Sequence, residues 1–268
     1  MEGVGRIAAV GAGVAHLRAG DLVGLATAWS DGTWRESGLA RADRLAPLPD
    51  ADPLQLAMLT ANPASAALML ETFVPLAAGD WVAQNAANSA VGRAVIALAR
   101  LAGVRTVNVV RRAELVEPLR DAGGDLVLVD GPDLAERARA AVRGAGGAPD
   151  AVKLALDAVG GASTGRLARL VARGGTVVSY GALAGAPCEV APQDTIFRDV
   201  SLRGFWLVRW FERAAPAEVG ALHARSGALV ASGAIHAPVE ATYRLREARS
   251  ALAHAARGGR DGKVLLVR

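Results

Sequence analysis

The stretch Gln84 to Val95, QNAANSAVGRAV, decides how this chain is read. An apolar run, Trp81-Val82-Ala83, leads into it, and a run of helical spacing, Val91 to Leu101, leads out. A strand, a short turn of small residues and a helix form the arrangement in which backbone N–H groups and a helix N-terminus converge on a phosphate. The usual fingerprint of such a turn carries three glycines, whereas only Gly92 stands here. The turn still suits the task. Ala86, Ala87 and Ala90 let the backbone come close to a pyrophosphate, and asparagine tolerates the left-handed φ that glycine otherwise supplies. Asn88 and Ser89 add side-chain donors, and Gly92 sits where close helix–strand packing leaves no room for a side chain. The same residues also suit an ordinary Asn/Ser helix cap.

Working outward, the alternation of elements supports the first reading. Helical spacing is expected at 64–73, 91–101, 113–122, 134–142 and 165–171, and strands at 81–84, 106–110, 126–129, 153–157 and 176–180. That order implies βαβ units and a parallel sheet. A further strand is expected over Ser201–Val208, then a helix over Pro216–Ser232. Residues 1–57 are short segments punctuated by Gly and Pro. The tail returns to short strands, 235–241 and 264–267, around a helix at 246–257. The fold class read from this is α/β: a doubly wound parallel sheet, residues 58–237, inserted in a β-rich domain made of residues 1–57 and 238–268.

The second strand tells the two readings of the turn apart. A unit that binds NAD carries an acid about 20 residues beyond the turn, to hold the ribose 2′-hydroxyl. Here Val107-Asn108-Val109-Val110 runs into Arg111-Arg112. Guanidinium groups pair with a 2′-phosphate that a carboxylate would repel, so the pattern points to NADPH.

Composition sets the bounds. The chain has 268 residues, 52% of them hydrophobic, and no apolar run of the roughly 18–20 residues a membrane span needs. Its one cysteine, Cys188, excludes an internal disulfide and a cysteine-based zinc site. Nothing at Met1-Glu2-Gly3 reads as a signal peptide, and the expected location is cytoplasmic. The net charge of +4 is almost wholly arginine scattered among acids, with Lys153 and Lys263 the only lysines. No recognition module accompanies it, so neither nucleic acid nor a membrane is an expected partner.

A different class of chemistry is also written in the chain. Gly161-Ala162-Ser163-Thr164-Gly165 matches G-x-S-x-G between a strand and a helix. Asp194 or Asp199, with His223, His236 or His254, would complete a Ser–Asp–His order. No upstream oxyanion motif accompanies it, and a Ser/Thr helix cap explains the same residues.

With these residues in view the chain resembles the medium-chain dehydrogenase/reductase superfamily, and within it the zinc-free, mitochondrial-type 2-enoyl thioester reductases. The resemblance rests on GTW at 32–34, ANPASAALML at 61–70, QNAANSAVG, NVVRR, LALDAVGG at 154–161, ARGGTVVSYG at 172–181, LRGFWL at 202–207 and the closing GKVLLV, in family order. It implies a Rossmann domain in a GroES-like catalytic domain. It also implies NADPH-dependent reduction of the C2=C3 bond of an enoyl thioester, carried on CoA or acyl carrier protein, by a homodimer. A quinone or enone reductase of the same superfamily and a catalytically impaired NADPH-binding protein are the alternatives.

Carried over by residue, Asn62 would sit near the nicotinamide. Asn88, Ser89, Ala90 and Val91 would line the pyrophosphate, and Arg111 and Arg112 would take the 2′-phosphate. Tyr180, Gly181, Ala182 and Leu183 would pass the cofactor, Phe205, Trp206 and Leu207 would back the nicotinamide, and Lys263 would reach it from the tail. The family's proton-donating tyrosine belongs just upstream of Glu2-Gly3-Val4-Gly5, while Tyr180 and Tyr243 match other positions. The expectation is thus a lobe shortened at its N-terminus, with no catalytic residue assigned. Zinc-dependent relatives use Cys and a His-Glu pair here. Met1 takes the place of that His and Glu2 stands alone, so no metal is expected.

Overall fold

The computed structural model describes residues 2–25, 32–45, 47–148 and 150–268. These divide into two compact units, 66–206 and 1–65 with 207–268. The sequence places its boundaries at 57/58 and 237/238 instead.

In chain order the structure opens with two short antiparallel strands, β1 (Val4–Arg6) and β2 (Leu22–Gly24). A single helical turn follows, α1 (Pro53–Leu56), capped by Asp52 accepting the Leu54 N–H. From α2 (Asn62–Thr72) strands and helices alternate: β3 (Trp81–Gln84), α3 (Ala90–Leu101), β4 (Arg105–Val110), α4 (Val116–Asp121), β5 (Leu126–Val129) and α5 (Leu134–Gly144). Next come β6 (Val152–Asp157), α6 (Gly161–Leu170), β7 (Thr176–Ser179) and β8 (Ser201–Gly204). The tail adds α7 (Leu207–Arg213), α8 (Pro216–Ala231), β9 (Val239–Arg244), α9 (Ala248–Ala255) and β10 (Lys263–Val267).

Strands β3 to β8 form one parallel sheet in the order β5-β4-β3-β6-β7-β8. This is the α/β, doubly wound architecture read from the sequence. Helices on both faces bury the central strands throughout, which is why those strands read as apolar runs. Trp81, Ala83, Val107 and Ala155 pack on one face with Ala138 and Val142 of α5 and Leu167 of α6. Ile96 of α3, Val110, Leu119 of α4 and Val127 pack on the other. The order reverses between β3 and β6, and ligands of open α/β sheets bind beyond the carboxyl ends of strands at such a point.

In the other unit β9 and β10 pair in parallel, with α9 between them in the chain. Gln55 donates to the Ala237 carbonyl (2.9 Å) and accepts from its N–H (2.9 Å). A side chain at Gly227 of α8 would come within 2.9 Å of Pro49 Cδ. These contacts explain why residues 207–237 group with the first 65 and not with the sheet.

Two elements differ from expectation. The strand expected over 201–208 stops at Gly204 and gives way to α7. Its partner β7 ends at Ser179, whose carbonyl takes the Phe205 N–H (2.9 Å), so beyond that point the ladder has nothing to pair with. The strand expected at 235–241 begins only at Val239, because the Ile235 N–H closes α8 on the Leu229 carbonyl (3.1 Å) and Pro238 has no N–H to give.

Candidate cofactor-binding site

The turn between β3 and α3 is built as a clamp. Ala86 takes the left-handed conformation (φ 46°), not an asparagine as expected. The Ala87 N–H reaches the Val109 carbonyl of β4 (3.2 Å), and the Ser89 N–H closes on the Ala86 carbonyl (2.9 Å). Ser89 caps α3, its Oγ accepting the Gly92 N–H at 3.1 Å. A Cβ at Gly92 would lie 2.5 Å from the Ala87 oxygen, so the glycine lets the helix start close over its own turn. The contact is with the turn's backbone and not, as expected, with a strand. Asn88, Ser89, Ala90 and Val91 are half-buried around this helix start.

Asn85, in contrast, turns inward. Its amide donates to Asp157 Oδ1 (2.6 Å) and Ser163 Oγ (3.1 Å), and its Oδ1 takes the Ala158 N–H (2.7 Å). Asp157 is fully buried at the end of β6, where its carboxylate also accepts from Val159 N (2.9 Å), Gly160 N (3.1 Å) and Thr164 Oγ1 (2.6 Å). Four donors thus converge on one buried carboxylate and lock β3 to β6 where the strand order reverses. Spacing in the sequence gave no sign of Asp157. The signal was an acid closing an otherwise apolar strand, a position that burial tolerates only when every lone pair is used.

Of the other expected residues in this unit, Arg111 is exposed just past β4, and Arg112 is half-buried with an ion pair to Glu114 (3.4 Å). Tyr180 follows β7, with its N–H on the Asp157 carbonyl (2.9 Å). Burial pushes its pKa well above the ordinary value, with Ser89 opposing the shift and the Asp157 charge adding to it. The Tyr180 hydroxyl is buried with no hydrogen-bond partner among the described residues. A Cβ on Gly181 would come 2.8 Å from the Ala158 oxygen, which holds this loop against the end of β6, while Ala182 and Leu183 are exposed. Phe205 stands edge-on to Phe73 (centroids 6.3 Å), and Trp206 is exposed.

Residues 2, 62 and 263 meet in the other unit. Asn62 donates to Glu2 Oε2 (2.8 Å) and to the Met58 carbonyl (3.0 Å), and Lys263 Nζ lies 3.6 Å from Glu2 Oε1. Glu2 is therefore not alone. Burial raises its pKa, against the pull of Lys263 and Asn62. Leu207 begins α7 in the same unit and is half-buried.

The hydrolase arrangement is not assembled. Ser163 is buried in the first turn of α6 and bonds Asn85 and Asp130 among the described residues. Asp194 is engaged by Arg198 (2.7 Å). His223 stands edge-on to Phe211, and His254 lies between Glu240 (2.7 Å) and Tyr243 (3.0 Å). Among the described residues, no three His, Cys, Asp or Glu side chains group so as to hold a metal ion, and Met1 lies outside those residues.

Residues 90–225 match the family described as zinc-binding dehydrogenase. The described side chains do not offer the donor set that this description implies. The mitochondrial enoyl-[acyl-carrier-protein] reductase of Dictyostelium discoideum is 39% identical over 80% of this chain and 61% of its own length. The corresponding protein of Homo sapiens is 38% identical over 94% and 67%. The chain thus spans roughly three fifths to two thirds of these relatives. A solved complex of Etr1p with NADP and crotonyl-CoA superposes with a TM-score of 0.88 at 25% identity, over all of this chain and 79% of the other. These relatives overturn the expected cytoplasmic location: they are mitochondrial by name and point to that organelle. A lone cysteine and a bland first few residues do not separate two reducing compartments. Matching family and shared sheet agree, and the chain belongs to the zinc-binding dehydrogenase family of the medium-chain dehydrogenase/reductases, in the branch of the mitochondrial enoyl thioester reductases.

Proposed function

We propose that the protein uses NADPH to reduce the C2=C3 bond of an enoyl thioester. The observation that carries this reading is the turn 85–92, clamped through Gly92 and flanked at the end of β4 by Arg111 and Arg112 where an NAD site would hold an acid. The relatives of known structure and name supply the reaction class. When bound, the nicotinamide supplies the hydride. The chain's own residues bind and orient. The N–H groups and dipole at the start of α3, with the Ser89 and Asn88 side chains, would receive the pyrophosphate. The guanidinium groups of Arg111 and Arg112 hold the 2′-phosphate. Tyr180, Gly181, Ala182, Leu183, Phe205 and Trp206 of the same unit would flank the cofactor. Negative charge developing on the thioester oxygen in such a reduction would call for hydrogen-bond donors there. The acyl carrier is CoA or acyl carrier protein.

Fluorescence titration with NADPH and NADH tests the cofactor assignment. NADPH should bind more tightly, and replacing both Arg111 and Arg112 with alanine should remove about 1.5–3 kcal/mol of that preference. Equal affinities in the unaltered protein refute the assignment. Oxidation of NADPH on adding crotonyl-CoA tests the reaction.

We further propose a homodimer through β8. This strand ends the sheet order and all four of its residues are exposed, leaving an edge of the kind that pairs with another strand. Leu202 and Trp206 add exposed apolar surface beside it. A dimer by sedimentation at micromolar concentration that dissociates in a Leu202→Lys variant is the expected outcome. A monomeric unaltered protein counts against it.

A further inference from the structure

Gln84 closes β3 and faces Asn108 across the β3–β4 ladder, and both side chains are fully buried. Two amides inside an apolar sheet need partners, and these find them in one chain. Gln84 Nε2 donates to Asn108 Oδ1 (2.7 Å), and Asn108 Nδ2 donates to Thr106 Oγ1 (2.8 Å) and the Leu126 carbonyl (3.2 Å). Thr106 Oγ1 donates in turn to Asp125 Oδ2 (3.2 Å), which also takes the Thr106 N–H (2.9 Å). Gly124 makes room for this, since a Cβ there would lie 2.8 Å from Asn108 Nδ2.

The direction of the chain is fixed at both ends. A carboxylate only accepts, so the Thr106 hydroxyl points at Asp125; a carbonyl only accepts, so Asn108 turns its nitrogen to Leu126 and its oxygen to Gln84. Gln84 must then present its nitrogen to Asn108, and its second proton goes to the Gly92 carbonyl (2.9 Å) in the first turn of α3. Gln84 Oε1 is left buried with no partner among the described residues. A side chain kept here for packing alone would be apolar, because an unpartnered buried oxygen destabilises the fold. What the amide supplies and an apolar side chain lacks is its hold on Gly92.

We propose that Gln84 is a positioning residue for the cofactor: its amide, oriented by Asn108, holds the first turn of α3 over the end of β3 so that the N–H groups there meet the pyrophosphate. This role rests on the NADPH reading above. Ser89 Oγ occupies the Gly92 N–H, which leaves those of Ala90 and Val91 to a ligand. Their direction follows the tilt of the first turn, and Gln84 ties that turn to the sheet at the Gly92 carbonyl. Ala87, bonded to Val109, holds the loop before it. All of these residues belong to one compact unit.

The test measures affinity for NADPH, NADH and adenosine 2′-monophosphate, which carries the 2′-phosphate without a pyrophosphate. It uses the unaltered protein and the Gln84→Met, Asn108→Leu and Asn108→Asp variants, with thermal denaturation of each. Gln84→Met removes the N–H groups and exchanges one unpartnered oxygen, its own, for another, that of Asn108, so its denaturation temperature should change little. It should nonetheless weaken NADPH and NADH alike by about tenfold, the worth of one hydrogen bond, and leave adenosine 2′-monophosphate unaffected. Asn108→Leu, which takes away the acceptor that orients Gln84, should do the same to all three ligands. Asn108→Asp keeps an oxygen for Gln84, so it should lower the denaturation temperature yet retain NADPH affinity. A role in folding alone would leave NADPH affinity unchanged in Gln84→Met; that result overturns the proposal, as does an equal loss of all three ligands. Failure of the unaltered protein to bind either dinucleotide refutes the cofactor reading itself, and with it this role.

Discussion

Replacing Gly92 with alanine should loosen the turn that the whole cofactor reading depends on. An added Cβ would stand 2.5 Å from the Ala87 oxygen and 2.7 Å from its carbonyl carbon and Cα. All three are backbone atoms, so no side chain can swing away. Ordinary contact begins near 3.4 Å, and the start of α3 must therefore move from the turn by about 0.9 Å. The turn resists, because Ala87 is fully buried and its N–H is tied to Val109, while the Gly92 carbonyl accepts from Gln84 Nε2 (2.9 Å). Overpacking of this kind costs about 1–3 kcal/mol, and alanine's better helix propensity returns up to about 1. The net loss should be about 1–2 kcal/mol. Opening the turn also spreads the N–H groups that converge on the pyrophosphate, so NADPH affinity should fall by more than tenfold, on the order of two hydrogen bonds. Gly220 is the control. It lies inside α8 with nothing within 4 Å of its added Cβ, so Gly220→Ala should stabilise by about 0.5–1 kcal/mol and leave NADPH binding alone. Chemical denaturation and NADPH fluorescence read both effects. If the two alanine variants behave alike, the close approach at Ala87 is not what shapes the turn and the reasoning fails.

Three further substitutions follow from two buried groups. Asp157→Ala strands the donors of Asn85, Val159, Gly160 and Thr164 without water to replace the carboxylate, at about 1–3 kcal/mol for each group left unpaired. Asp157→Asn keeps one oxygen and should cost only about 1–2 kcal/mol, since the Thr164 hydroxyl can turn to accept; equal losses for the two variants in a denaturation series would contradict this account. His223 makes stability depend on pH. Burial lowers its pKa below the ordinary 6.5, so the unfolded chain binds the proton more readily than the folded one. Its contribution is intact above about pH 6.5 and is lost as pH falls from there through the lowered folded value. His223→Gln should flatten that part of the stability curve, and an unchanged curve would exclude the histidine.

The sheet was legible in the sequence because its signal is local. Trp81–Gln84 and Leu126–Val129 are apolar runs of strand length bounded by turns, and each is found at the expected residues. Gly92 was legible only in part: its place in the first turn of a helical run implies close packing, but the packing is against the turn's own backbone at Ala87 and not a strand. Ser201–Val208 was harder: eight residues of mixed apolar character suit a strand or a helix, and only the length of the neighbouring β7 settles where the strand ends. The hydrolase motif failed for a related reason. G-x-S-x-G describes spacing, and spacing says nothing of whether a hydroxyl is exposed or, as at Ser163, turned into a buried network.

The sequence by itself thus determined the alternation of strands and helices, the parallel sheet and the arginine pair that follows β4, since periodicity and charge are properties of neighbours in the chain. Tertiary structure alone decided that Asn85 serves Asp157 while Ala86 makes the left-handed bend, and that Glu2, Asn62 and Lys263 form one cluster. Those outcomes depend on which donors find which acceptors across 60 or more residues, and a buried polar group takes whatever partner the packing of distant elements delivers.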